Sequence, residues 1–119
     1  MILLSTAFII STFINAQVGG FDVKGLTGEI MGKLNPALVL TPEQKPTVND
    51  AVTVFLTKKA DIISLQKTDP PAYTSKFNVL NGDLINQLKD ILTAKQMSGF
   101  LGLKPRVNTP GNVLSQLFF

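Results

Sequence analysis

The strongest constraint on this chain is a stripe of apolar residues at helical spacing. Tyr73, Phe77, Leu80, Leu84, Leu88 and Ile91 recur at steps of four, three, four, four and three. That rhythm puts all of them on one side of an α-helix, and a helix with such a side must bury it against another element. The stripe follows Asp69-Pro70-Pro71, where the carboxylate can cap and the prolines can occupy the first helical turn. Asn81-Gly82 lies inside the stripe and offers a hairpin turn as the alternative. The period continues in phase across the glycine, so one helix, bent there, is the expectation.

Upstream, Thr41-Pro42-Glu43-Gln44 places a capping threonine three residues before a glutamine. In that arrangement each side chain satisfies a free backbone N–H of the other's turn. Val48, Val52, Phe55, Ile62 and Ile63, flanked by Ala51 and Leu56, then predict a long helix. Val52-Thr53-Val54 has strand propensity and Pro46 removes an early hydrogen bond, but the longer period outweighs a short run. Before it, Val23, Leu26, Ile30 and Leu34 predict a short helix, weakened by Gly25, Gly28 and Gly32 and ended by Asn35-Pro36. After the long stripe, Thr93 and Gln96 repeat the capping box, Leu92 and Met97 form a hydrophobic staple, and Gly102 with Lys104-Pro105 stops the helix. Thr109-Pro110 starts a last short helix carrying Val113, Leu114, Leu117 and Phe118. The closing Phe118-Phe119 pair either seals the core or forms an exposed contact patch. The expected fold is all-α: a small bundle of two longer antiparallel helices with shorter capping helices, packed flat or curved.

Met1 to Ala16 reads MILLSTAFIISTFINA and carries no charged side chain. Its apolar stretch is short of the ~20 residues a membrane span needs, and Ala16 before Gln17 offers a cleavage point. A signal peptide at 1–16, a flexible leader at 17–22 and a single helical domain at 23–119 are therefore expected. An uncleaved anchor or a buried first helix are the alternatives. Bulky Ile14 and the lack of Lys or Arg before the apolar stretch depart from the usual export pattern. The location implied is exported, periplasmic or secreted, with no stable membrane span after cleavage.

Chemistry is bounded by what the chain lacks. It has neither histidine nor cysteine, which removes the commonest general base, the commonest neutral metal ligand and all thiol chemistry. Most of the carboxylates fall on polar helical faces or near helix starts, and Asp83 with Asp90, seven residues apart, shows no more than a chance spacing. No catalytic residue, metal or cofactor is expected. The formal charge of +3 is scattered, and no basic run exceeds Lys58-Lys59, so nucleic acid is not an expected partner.

Leu40-Thr41-Pro42-Glu43-Gln44 and Leu92-Thr93-Ala94-Lys95-Gln96 are two copies of LTxxQ. This pairing resembles the Spy/CpxP-like family of bacterial periplasmic proteins over about Leu40 to Gly102. The resemblance implies curved helical protomers, a homodimeric cradle, and an ATP-independent chaperone or envelope-stress protein that binds unfolded polypeptide. On that reading Leu40, Thr41, Gln44, Leu92, Thr93 and Gln96 are structural caps. Met31 and Met97 are candidates for adaptable client contacts, and Lys58, Lys59, Lys67 and Lys76 for steering anionic clients. Zinc-sensing members of that family use His or Cys, so metal binding does not carry over. The alternative is a dedicated secreted protein, an inhibitor or assembly subunit, that docks one partner through apolar surfaces.

Overall fold

The computed structural model describes residues 21–119. The expected signal peptide and residues 17–20 of the expected leader lie outside the described residues. Among the described residues six helices follow in order: α1 (Val23–Leu38), α2 (Gln44–Ile62), α3 (Leu65–Thr68), α4 (Pro70–Ile91), α5 (Ala94–Leu101) and α6 (Ser115–Phe118). No strand occurs among the described residues. The fold is all-α, as the periodicities require.

α2 lies along α4 and also packs against α1, while α5 bridges α1 and α4. The predicted stripe of α4 faces inward: Tyr73, Phe77, Leu84 and Leu88 are buried, and Leu80 and Ile91 pack partly buried on the same core. Opposite them α2 contributes Val48, Ala51, Val52, Phe55 and Leu56. Phe55 meets Phe77 edge-to-face with ring centroids 5.9 Å apart, a geometry that aligns ring edge with ring face. α4 runs through Asn81-Gly82 as one helix, with Asp69 accepting a hydrogen bond from the Ala72 N–H at 3.3 Å and prolines in its first turn. The continuous stripe outweighs the turn dipeptide.

Three expectations need correction. α1 does not stop at Asn35-Pro36 but continues to Leu38 with Pro36 inside it. Proline costs the hydrogen bond to Gly32, but Gly32 is exposed, so water can satisfy that carbonyl. The helix ends at Val39, whose left-handed backbone (φ 53, ψ 57) lets its N–H and that of Leu40 return to the Asn35 carbonyl. Second, the packed part begins at Phe21, which is buried, and Asp22 caps α1 by accepting from the Gly25 N–H at 3.1 Å. The leader as expected therefore includes two residues that the fold uses. A Cβ on Gly25 would come within 2.5 Å of the capping carboxylate. Third, Thr109-Pro110 makes a turn rather than a helix start. The Asn112 N–H bonds to the Thr109 carbonyl at 2.9 Å, and α6 forms only from Ser115.

The last segment seals the core. Leu114, Leu117 and Phe118 are buried, and Phe118 packs against Phe100 at a centroid distance of 5.3 Å. Asn81 of α4 donates to the Leu117 carbonyl at 2.7 Å, which ties α6 to the middle of the longest helix.

Candidate functional site

The two LTxxQ segments form a single unit. In the first, the Gln44 N–H donates to Thr41 Oγ1 at 3.1 Å and Gln44 Oε1 accepts from the Thr41 N–H at 3.0 Å. In the second, the Gln96 N–H donates to Thr93 Oγ1 at 3.1 Å and Gln96 Oε1 accepts from the Thr93 N–H at 3.0 Å. The second is a complete capping box, and the first makes the same reciprocal bonds ahead of α2, whose own N-cap is Glu43 rather than the expected Thr41. α2 itself starts only at Gln44, after a turn at Pro42-Glu43, but the reciprocal bonds bind that turn to the helix.

The two glutamines then bind each other. Gln44 Nε2 donates to Gln96 Oε1 at 2.8 Å, and Gln96 Nε2 donates to Gln44 Oε1 at 2.9 Å. The second amide hydrogen of each goes to the chain just before the opposite box. Gln44 Nε2 donates to the Ile91 carbonyl at 3.1 Å, and Gln96 Nε2 to the carbonyls of Leu38 at 3.2 Å and Val39 at 3.4 Å. Ile91 precedes Leu92 as Val39 precedes Leu40, so the arrangement has approximate two-fold symmetry across 52 residues of sequence. Every donor and acceptor of both amides is used. Reversing either amide would set its NH₂ against a capping N–H and break the ring. Leu40 and Leu92 are both buried beneath the clasp.

The clasp joins the end of α1 and start of α2 to the end of α4 and start of α5. α1 and α5 also approach closely: a Cβ on Gly99 would sit 3.3 Å from Leu38 Cδ2. Beside the clasp lies a cleft of about 500 Å³ bordered by Val39, Lys95 and Gly99. Val39 is 77% exposed.

At the other end of α2 the structure departs from the sequence reading. Lys59 is not a surface cation for steering clients; it is only 2% exposed. Its position on α2, seven residues after Val52 and four after Phe55, places it on the core side. Its ammonium donates to the Gln116 carbonyl at 2.7 Å, Gln116 Oε1 at 2.9 Å and the Phe119 main-chain oxygen at 2.7 Å. Nζ also lies 5.3 Å from the centroid of the Phe77 ring, a cation–π arrangement. Burial lowers its pKa from 10.5 to about 8. Tyr73 donates to the same Phe119 oxygen at 3.4 Å, and burial raises the pKa of its phenol. Only the α2 phase, read strictly from Val52 and Phe55, marks Lys59 as inward.

Met31 and Met97 are likewise buried. They fill core space between helices and are not available for client contact. Lys58, Lys67 and Lys76 are exposed. The candidate set therefore divides: the capping residues come together, while Met31, Met97 and Lys59 are withdrawn into the core.

Among the described residues no group of His, Cys, Asp or Glu is placed to hold a metal ion, and no helix is long and apolar enough to cross a membrane. No family model, curated protein or solved structure matches this chain.

Proposed function

We propose that this chain is an exported, non-enzymatic protein that binds unfolded segments of other proteins without ATP, in the manner of the LTxxQ-containing periplasmic proteins it resembles. The observation that carries the reading is the Gln44–Gln96 pair. Two unrelated capping boxes have no physical reason to meet, because each completes its own helix start within a single turn. Here each glutamine uses one side of its amide for its own cap and the other for its counterpart. The two copies thus behave as one paired signature. Two LTxxQ copies are also the hallmark of the family this chain resembles, which supports taking the function along with the motif.

Binding of this kind needs a face where apolar groups and charges are mixed, with contacts weak enough to release. With Lys59, Met31 and Met97 in the core, such a face is sought on the exposed residues of α2 and α4, where Val54 lies one turn from Lys58 and Val79 one turn from Lys76. The test is light scattering by a chemically denatured client diluted into buffer with the purified protein and no nucleotide. Suppression near stoichiometric amounts is the expected result. Unchanged aggregation at large excess would overturn the proposal and reduce the clasp to a stabilising device.

A further inference from the structure

The geometry points to a docking face for a cationic, apolar stretch of polypeptide in the groove between α2 and α4. This deepens the client-binding reading above and rests on it. The groove is a shallow channel whose more open part encloses about 320 Å³. Its floor is apolar: Ala51 and Val54 come from α2, and Ile91 from α4. Val54 is 44% exposed there, in mid-helix, where a polar residue would serve a solvated surface better.

The rim sets the sign of the partner. Among the described residues, Asp50 and Asp90 border the open part with no cation between them, and Asp83 continues the rim toward Leu80, where Lys58 is the single opposing charge. On α2 the spacing Asp50, Val54, Lys58 keeps these side chains on one face, as Asp83, Gln87, Asp90 does on α4. Asp90 stands in the last turn of α4, where the helix dipole disfavours an anion, so helix stability gives no reason for it. The residues lining the groove carry three carboxylates, Asp50, Asp83 and Asp90, against one ammonium, Lys58, although the whole chain carries +3. A segment with apolar side chains flanked by Lys or Arg fits this face: the apolar groups cover Val54 and Ile91 while the cations meet Asp50 and Asp90. The expectation from sequence that lysines steer anionic clients is replaced by its opposite at this groove.

The experiment titrates two short fluorescent peptides with the full-length protein. They share the same leucines but carry lysines in one and glutamates in the other. The lysine peptide should bind at least about fivefold tighter, and more so at low salt. The net charge of the protein favours the other peptide, so that preference reports the groove. Asp50→Asn with Asp90→Asn should remove most of the preference, and Val54→Lys should weaken the lysine peptide about as strongly. All three positions are exposed, and circular dichroism checks that the helices are retained. Absence of saturable binding, preference for the glutamate peptide, or a lysine preference unchanged in these variants would overturn the proposal. Aggregation measurements separate the two readings. Suppression without lysine preference removes the groove and keeps the chaperone activity. A groove-dependent lysine preference without suppression keeps the groove and assigns it to one dedicated cationic partner.

Discussion

The two ends of α2 are secured by opposite means. At its start, a neutral amide ring joins Gln44 to Gln96 and satisfies every polar atom it uses. Toward its end, one buried ammonium gathers the oxygens of Gln116 and Phe119. The first device distributes modest hydrogen bonds over two half-exposed side chains, each replaceable in part by water. The second concentrates a full charge in the core, where solvation lost by Lys59 is only partly returned by the Gln116 and Phe119 oxygens and the Phe77 ring. The clasp should therefore be the more forgiving of the two, and the lysine knot should depend more strongly on conditions.

Breaking the knot is the largest expected effect. Lys59→Ala leaves buried oxygens of Gln116 and Phe119 without their donor and opens a void beside Phe77, so it should destabilise the protein by about 3 kcal/mol. Urea unfolding read by circular dichroism measures this. A loss no greater than that of a single clasp variant would remove the contrast. The pH dependence follows with a definite sign. Between about 8 and 10.5 the folded chain has released the Lys59 proton while the unfolded chain retains it. Stability contributed by this group therefore rises with pH across that window and is constant below it. By pH 9.5 the rise should reach about 2 kcal/mol relative to pH 7.5. Tyr73 acts in the opposite direction above 10.0, because its raised folded pKa makes the unfolded chain ionise first. Lys59→Met should flatten the rise, and a profile identical to that of the parent protein would contradict the assignment.

The same contrast explains what could be read in advance. Capping boxes are local: Thr and Gln three residues apart close their bonds within one turn, so Thr41, Gln44, Thr93 and Gln96 were legible from spacing alone. So were the stripe from Tyr73 to Ile91 and the cap at Asp69. The meeting of the two glutamines depends on how α1, α2, α4 and α5 pack, and no local pattern contains that. Lys59 was hidden for another reason. A long aliphatic stem can enter a core like a leucine if oxygens wait at its end, and those oxygens come from a segment 57 residues later. Met31 and Met97 had two compatible readings, and burial chose the ordinary one. Pro36 misled because it stands in the last turn of α1 and its cost falls on the carbonyl of exposed Gly32.

Smaller effects sharpen the clasp side. Thr93→Ala removes one capping acceptor and should cost about 1 kcal/mol, and an unchanged melting temperature would contradict the cap. Val39→Gly should stabilise by about 1 kcal/mol. A β-branched residue is strained at φ 53, and glycine at a left-handed helix end is not. Thermal unfolding checks this, and a loss of stability would mean that the Val39 side chain contributes more than its backbone conformation costs.

The central claim is that the two LTxxQ boxes act as one unit, and a double-mutant cycle tests it most directly. Gln44→Ala, Gln96→Ala and the double variant would be compared by equilibrium urea unfolding under one set of conditions. Because either single variant already breaks the shared amide ring, the double should cost less than the sum of the singles by about 1 kcal/mol. Additivity within about 0.3 kcal/mol would show two independent helix caps and contradict the account.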